Sequence, residues 1–340
     1  MERRPARLSD VAHRAGVSVA TASRALNGSA RSVKESNRAV VLAAADELGY
    51  TANVAAQAVA RGRHRGVTLL VKSMPNDYAN PMVVGVVEAA RRAGIRITLV
   101  VVGEKSADLV REVHAARAQR AEILMTIGGR TIDDRGIPDL VAALQQYEAE
   151  GGRVVMITQA GLPFDTVSYD NQAGAHDLAV ELLALGYEHF AILAGYADGM
   201  TQLDRTRGFV EGLAEGGVTL GVDRIITGEF TRDGAYAATG DLLRRGIKLD
   251  AIFAVNDAMA LGVLTFLRDS GERGKGIAVA GFDDIASLRD ITPGLTTVHL
   301  PWDAVATEAL RLAQSDRAAT PRHSIIGAHV VIRESTPPRR

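Results

Sequence analysis

The chain has 340 residues, of which 47% are hydrophobic and 23% charged, as in globular proteins built from two or three compact units. It contains no cysteine, which excludes disulfides and thiolate metal sites and fits a reducing compartment. No apolar run is long enough to predict a membrane span, and the polar start MERRPAR predicts no export signal. We therefore expect a cytoplasmic protein without a membrane partner.

The net charge of −1 conceals an uneven distribution of charge along the chain. Residues 1–65 hold 11 basic and 5 acidic residues, a net charge of +6, and the remainder carries −7. All but one of those basic residues are arginine, which suits contacts to phosphate and guanine. This asymmetry favours a nucleic-acid partner for the N-terminal segment, although a solvated charged surface would give the same split.

The first elements in chain order are two short helices joined by a tight turn. Apolar residues at helical spacing predict one buried face on the first helix: Leu8, Val11, Ala12 and Ala15. Gly16 supplies the positive φ of a tight turn, and Ser18 is a good N-cap for the second helix. Ala22, Ala25 and Leu26 are the predicted buried side of that helix.

The opposite side of the second helix is slim and polar to basic. It presents Val19, Ala20, Thr21, Ser23 and Arg24, and the helix ends at Asn27. Such a face is suited to the major groove of DNA. An ordinary helical hairpin with a solvated outer face is the alternative interpretation.

A third helix is predicted to end at Gly49, with an apolar face formed by Val40, Val41, Ala44 and Leu48. After it, the segment NVAAQAVA at 53–60 begins with a capping residue, Asn53, but is too short to be helical alone in water. It is followed by the basic run RGRHRG at 61–66. We expect this segment to fold only against a partner.

From Gly66 onward, apolar runs of strand length alternate with amphipathic helices. The runs are 67–71, 95–102, 122–127, 153–158, 189–193, 251–255 and 277–282. This alternation predicts parallel sheets covered by helices on both faces, and the number of units favours two lobes over one sheet. Gly94 and Gly186 are the predicted ends of two of the helices.

Open parallel sheets bind ligands beyond the carboxyl ends of their strands, so the polar residues that follow the apolar runs are candidate site residues. Asn256 and Asp257 follow one run, and Asp283 and Asp284 follow another. For Asp257 and Asp284 we favour N-capping of the following helix.

The chain resembles the LacI/GalR family of bacterial repressors from about residue 8 to its C-terminus. The matching motifs are LSDVAHRAGVSVATASRALNG (8–28), LGYTANVAAQAVA (48–60), NDAMALG (256–262), VAGFDD (279–284), TPGLTTV (292–298) and RESTPP (333–338). The resemblance implies a small all-α helix-turn-helix head and an α/β body with parallel sheets in a two-lobed, periplasmic-binding-protein-like fold.

The resemblance also implies a division of the chain. Residues 1–52 would be the DNA-binding domain, 53–65 the hinge helix and linker, and 66–340 the effector-binding and dimerisation domain. The first lobe would comprise about 66–167 and 298–326, and the second about 168–297 and 327–336. The crossings between lobes are expected near 166–170, 290–298 and 326–332.

The resemblance assigns candidate residues to two sites. The expected DNA-binding residues are Ser18, Val19, Ala20, Thr21, Ser23, Arg24, Asn27, Asn53 and Val59, where Val59 stands in place of the family's minor-groove leucine. The expected effector-binding residues are Arg205, Phe230, Asn256 and Asp283. Phe230 would pack on the effector or belong to the core, and Arg207, two positions after Arg205, is expected to face solvent or the lobe surface. A forked donor, an amide and a carboxylate suit a sugar or another polyol.

We therefore predict a transcriptional regulator, most simply a repressor, that binds a pseudopalindromic DNA operator as a homodimer under control of a small polar effector. The tail after Glu334, STPPRR, cannot form a tetramerising coiled coil. An activator or dual regulator of the same architecture is the main alternative, and a sugar-binding sensor without a DNA role is more remote. No catalytic motif, metal site or cofactor motif is found in the sequence, so we expect no enzyme and no cofactor.

Overall fold

The computed structural model describes residues 6–27, 33–50, 64–72, 81–103, 105–132, 134–158, 160–271 and 276–339. Two compact units make up the chain, Met1–His64 and Arg65–Arg340, which we call the head and the body. Asn53 and Val59, predicted to contact DNA, lie outside the described residues, as does most of the expected hinge. No helix in the described ranges is both long and apolar enough to cross a membrane.

The head contains three helices, α1 (Leu8–Arg14), α2 (Val19–Asn27) and α3 (Glu35–Glu47). Its small core is built from Val11, Ala12, Ala22, Ala25, Val41, Ala44 and Ala45. Gly16 has φ +65°, and the Ser18 hydroxyl accepts a 3.1 Å hydrogen bond from the Thr21 amide, so the predicted turn and N-cap are confirmed. The apolar side of α3 was only partly predicted, because Val40 and Leu48 are exposed and Val41 is the buried member of that run.

The first lobe of the body contains a six-stranded parallel sheet. Its strands are β1 (His64–Lys72), β2 (Ile97–Val102), β3 (Ala121–Ile127), β4 (Arg153–Ile157), β5 (Asp165–Tyr169) and β11 (His323–Ile326). Their order in the sheet is β11-β5-β4-β3-β1-β2. Its helices are α4 (Pro81–Arg92), α5 (Ser106–Ala118), α6 (Ile137–Ala149) and α11 (Trp302–Gln314). β5 and β11 carry too few apolar residues to have been found as strands in the sequence.

The second lobe is a four-stranded parallel sheet with strand order β7-β6-β8-β9. Its strands are β6 (Phe190–Gly195), β7 (Ile225–Thr227), β8 (Ala251–Ala254) and β9 (Ala278–Ala280). The helices of this lobe are α7 (Asn171–Ala184), α8 (Met200–Glu215), α9 (Arg232–Arg244) and α10 (Asp257–Asp269). Gly94 and Gly186, the predicted helix ends, have φ +68° and +89°.

The lobes are joined where the chain passes from β5 into α7 and through a short antiparallel ribbon. The ribbon pairs β10 (Thr297–His299) with β12 (His329–Val331). After β12 the chain returns to the second lobe, where Ser335 pairs with Val279 and the Arg339 amide donates to the Leu185 carbonyl. The predicted fold class, a helical head with a two-lobed parallel α/β body, is confirmed.

Candidate nucleic-acid interface and interlobe site

The outer face of α2 is the candidate nucleic-acid interface. Ser18, Val19, Ala20 and Arg24 are exposed, and Thr21 and Ser23 are partly so. The Arg24 Nε donates to the Ala20 carbonyl at 3.1 Å within the helix, which leaves its other guanidinium N–H groups for a partner. Opposite this face, Ala22 and Ala25 are buried, so α2 presents its polar side outward as predicted.

The second candidate site is centred on Arg205, which lies on α8 one turn after the helix begins. Its Nη2 is 2.9 Å from Asp283 Oδ1, in an ion pair whose arginine side chain is only 5% exposed. Nε donates to Asn171 Oδ1 at 2.9 Å and Nη1 to the Val255 carbonyl at 2.7 Å. The guanidinium also lies 3.9 Å above the Phe282 ring, so its orientation is fixed from four sides. Arg207, on the same helix, is exposed as predicted.

Asp283 follows β9 in a strained turn. Its φ is +120° and that of Asp284 is +51°, both in the region that favours glycine, and such strain in a non-glycine residue is typical of functional positions. The Asp283 side chain is 21% exposed, more than that of Arg205. Burial raises the pKa of the Asp283 carboxyl, and the charge of Arg205 opposes this rise. We call Arg205, Asp283 and the residues that hold Arg205, which are Asn171, Val255 and Phe282, the interlobe site.

Asn256 and not Asp257 caps α10, so the predicted capping role of Asp257 is wrong. Asn256 is the N-cap of α10, and its Oδ1 accepts from the Met259 amide at 2.7 Å. Asp257 is not a cap: its carboxyl accepts from the Ile285 amide at 2.9 Å and lies 2.6 Å from the Thr297 hydroxyl. Burial and the neighbouring Asp283 carboxylate raise the pKa of Asp257 to about 8. Both residues can cap a helix, and only the register of the first turn decides between them.

The prediction that Asp284 caps a helix is also wrong. Its Oδ2 lies 2.9 Å from His299 Nδ1 on β10 and 3.0 Å from Arg289, and its Oδ1 accepts from Arg333 at 2.7 Å. Burial alone would raise its pKa, but the bonds from Arg333 and His299 outweigh that effect and lower it. Asp284 therefore anchors the turn to a crossing strand and to the C-terminal segment.

Aromatic residues surround the interlobe site, and some of them were not predicted. Phe230 is half-buried and packs against Tyr196, with ring centroids 6.3 Å apart. On the first lobe, Tyr169 ends β5 close enough to Asp283 and Arg205 for their charges to affect its pKa, which burial raises. Its ring meets Trp302 edge to face at 5.4 Å. Tyr169 could have been found only by recognising the polar strand that it ends.

The interlobe site has the chemistry of polar-ligand recognition. It combines a fixed guanidinium, a partly exposed carboxylate on a strained backbone and aromatic side chains, groups that can form hydrogen bonds and apolar contacts with a polar ligand. Within the described residues, no group of three or more histidine, aspartate or glutamate side chains could hold a metal ion.

Two family models match the chain. Residues 7–53 match the bacterial regulatory proteins of the lacI family, and residues 179–336 match the periplasmic binding protein-like domain. Over 98% of this chain and 96% of the relative, the sequence is 30% identical to the HTH-type transcriptional regulator GalR of Escherichia coli. The chain belongs to the LacI family of bacterial transcriptional regulators. It is accordingly a DNA-binding regulator and not an enzyme.

Other members of the LacI family align over nearly the whole chain. The regulator CelR of Thermobifida fusca is 29% identical over 98% of both chains. Among solved structures, a lac repressor dimer bound to operator and the anti-inducer ONPF superposes with a TM-score of 0.85 at 25% identity, over 98% of this chain and all of that one. A CelR–cellobiose complex superposes with a TM-score of 0.70 at 28% identity, over 97% and 99% of the two chains.

Proposed function

We propose that this LacI-family regulator is a homodimeric repressor whose affinity for a pseudopalindromic operator is controlled by a small polar effector, a sugar or a nucleoside-like molecule, at the interlobe site. The ion pair between the buried Arg205 and the partly exposed Asp283, beyond the carboxyl ends of the strands, carries this proposal. The lac repressor structure is a complex with operator and the anti-inducer ONPF, and the CelR structure is a complex with cellobiose. Both support DNA and a small polar molecule as the partners of this chain. Binding of operator DNA implies action in the cytoplasm.

The proposed effector contacts divide between direct and supporting roles. Asp283, partly exposed, would accept hydrogen bonds from ligand hydroxyls, and Arg205 would donate from the N–H groups that Asn171, Val255 and Asp283 leave free. Phe230 would pack on a ring face, and Asn256 would present its amide nitrogen beyond the cap. An effector switches the regulator only if it binds the two lobe arrangements unequally.

An exposed apolar surface on the first lobe supports the homodimer. β2 is an edge strand of the six-stranded sheet, and its Leu99 and Val101 are 48% and 67% exposed. Val84 and Val87 are exposed on α4, the helix that precedes this strand. An exposed apolar edge favours association with another chain, and a symmetric pair of such edges is the simplest partner. We also propose the boundaries 1–52, 53–65 and 66–340 and a two-lobed division of the body. The strand order supports the division into two lobes.

The effector site is tested by a thermal-shift screen of sugars, nucleosides and purines on the full chain, followed by single substitutions. Asp283→Ala and Arg205→Ala should each weaken binding of the selected ligand about a hundredfold, because a charged partner in a buried site is lost. Arg207→Ala, on the same helix but exposed, is the matched control and should bind normally. Normal binding by both site variants would refute the interlobe assignment.

The operator-binding face is tested at Arg24. Arg24→Ala should lose discrimination at one base pair per half-site, at a cost of about 1–3 kcal/mol per contact. Binding to a selected operator and to its single-base variants would be measured across salt concentrations. An equal loss on every sequence, with a shallower salt dependence, would make Arg24 a phosphate contact instead.

A further inference from the structure

The two lobes touch at a second place, away from the strands that connect them. Residues 130–132 follow β3 in the first lobe, and residues 198–200 lead into α8 in the second. The Ile132 amide donates to the Asp198 carbonyl at 2.9 Å, and the Met200 amide donates to the Arg130 carbonyl at 2.9 Å. Between these bonds, Thr131 and Gly199 face each other as an antiparallel pair.

This contact is made by main-chain groups, with the geometry of a minimal antiparallel sheet. Two hydrogen bonds flank a non-hydrogen-bonded pair, which is the closer of the two pair types, with Cα atoms about 4.5 Å apart. Next to it, a Cβ added to Gly129 would lie 3.8 Å from the Thr201 hydroxyl, in ordinary contact across the lobes. Such a contact exists only while the lobes are close together.

The contact is tied to the helix of the interlobe site on the second lobe and to a neighbouring loop on the first. Met200 is the first residue of α8, the helix that carries Arg205. On the other lobe, Arg130 Nη2 donates to the Ala160 carbonyl at 2.9 Å, which links residues 130–132 to the loop that follows β4. Opening the lobes would therefore break these two bonds and free the N-terminus of α8.

We propose that residues 130–132 and 198–200 form a main-chain latch that holds the two lobes of the body in a closed arrangement. A net hydrogen-bond contribution of the usual size predicts that each bond favours the closed arrangement by about three- to tenfold. The latch then sets the open–closed balance on which an effector acts, a consequence that rests on the proposed function. The latch itself is tested without any ligand.

Crosslinking tests the proximity of the lobes in solution. The chain has no cysteine, so Thr131→Cys with Gly199→Cys introduces two isolated thiols at a spacing that a disulfide spans. The full-length double variant should oxidise in air to one intrachain crosslink, seen as faster migration on a non-reducing gel and loss of both free thiols. The control pairs Thr131→Cys with Glu215→Cys, at the opposite end of the 16-residue α8, and should stay reduced. Two free thiols in the double variant, or crosslinks only between molecules, would overturn the latch.

Hydrogen exchange tests the two bonds without new cysteines. Proline is well tolerated at the first position of a helix, and the extended Gly199 (φ −72°, ψ 121°) suits the residue before it. Met200→Pro therefore removes one latch bond and leaves α8 intact. It should accelerate exchange of the Ile132 amide, on the other lobe, by about three- to tenfold. Arg232→Pro, at the first position of α9, is the matched control and should leave Ile132 unchanged.

The reciprocal variant guards against a folding defect. Ile132→Pro removes the other bond and should accelerate exchange of the Met200 amide to a similar extent. Circular dichroism and the melting temperature identify any variant that is misfolded. If one of the two proline variants misfolds, hydrogen exchange in the other tests the latch. Unchanged exchange across the lobes in a folded variant refutes the latch, whereas a failed ligand screen refutes only the proposed effector.

Discussion

The pKa values of acidic side chains shift downward at the amino ends of the two parallel sheets, whereas two carboxyls at the carboxyl end of the second sheet shift upward. At the amino ends, Asp165 begins β5 and Asp250 precedes β8, and bonds from arginine and histidine lower the pKa of both despite their burial. At the carboxyl ends, burial raises the pKa of Asp257 and Asp283. The amino end of each sheet thus holds a well-paired carboxylate. At the carboxyl end of the second sheet, Asp257 and Asp283 have fewer compensating partners, although Asp284 beside them is well paired.

This difference separates stability from function. Asp165 receives the Arg153 guanidinium, the Arg322 amide at 2.8 Å and Arg322 Nη2 at 2.7 Å, so its charge is fully used within the first lobe. Asp283 has one arginine, a strained backbone and partial exposure. A carboxylate such as that of Asp283 lowers the stability of the fold and is available to a ligand, as is usual for binding sites in open α/β sheets.

The largest expected effect is at the amino end of the first sheet. Asp165→Ala leaves Arg153, whose side chain is only 12% exposed, without its carboxylate and should lower the free energy of unfolding by about 3–5 kcal/mol. Urea denaturation at pH 7 measures this loss. Glu88→Ala removes the exposed Glu88–Arg91 pair and should cost less than about 0.5 kcal/mol. A loss at Asp165 no larger than at Glu88 would remove the contrast between the sheet ends.

At the carboxyl end of the second sheet, replacement of a carboxyl group by an amide is expected to raise the free energy of unfolding instead of lowering it. With a pKa of about 8, Asp257 holds a proton in the folded state that the unfolded chain releases above about pH 4. The free energy of unfolding therefore falls between about pH 4 and 8. Asp257→Asn keeps an acceptor for the Ile285 amide and a group that can donate to Thr297. It should raise the free energy of unfolding at pH 7.5 by about 2 kcal/mol.

Denaturation curves of wild type and Asp257→Asn at pH 4.5 and 7.5 check this sign, because the difference should grow with pH. Asp257→Ala, which removes the acceptor for the Ile285 amide and the Thr297 hydroxyl, is the companion variant and should lower the free energy of unfolding at either pH. Destabilisation by Asn equal to that by Ala would mean that the ionised carboxylate is the favoured form in the fold.

A third expectation concerns acid conditions. Burial would raise the pKa of Asp250, but His189 and then Arg339 lower it to about 2. A carboxyl with a lowered pKa stabilises the fold above its ordinary pKa and loses that effect as the pH falls from about 4 to 2. Arg339 is 43% exposed, so we expect a contribution of about 1.5 kcal/mol after screening. Asp250→Asn should lose this amount at pH 6 and match the wild type at pH 2.

The contrast between sheet ends was only partly visible in the sequence. Long apolar runs and helix-ending glycines predicted most strands, the two lobes and the outward face of α2, because burial imposes those patterns. β5 and β11 were missed because pairing with neighbouring strands, and not their own hydrophobicity, makes them strands. The resemblance to the LacI/GalR family pointed to Arg205 and Asp283, whereas the polar residues after the strands led to a capping role for Asp257 and Asp284, which instead hold the turn and a crossing strand. Polar contacts between residues distant in sequence leave no local pattern.

The smallest expected effect lies on the helices, away from both sheet ends. His176 on α7 contacts Asp177 and Glu215, each at 3.1 Å, and these bonds raise its pKa. A histidine with a raised pKa stabilises the fold below its ordinary pKa, and that contribution disappears as the pH rises past the raised value. Because both acidic partners are largely exposed, the contribution is screened to less than about 0.5 kcal/mol. His176→Gln should therefore lower the melting temperature slightly at pH 5.5 and leave it unchanged at pH 8.5. An effect at pH 5.5 as large as that of Asp250→Asn at pH 6 would show that an ion pair on a helix surface can contribute as much as one at a sheet end.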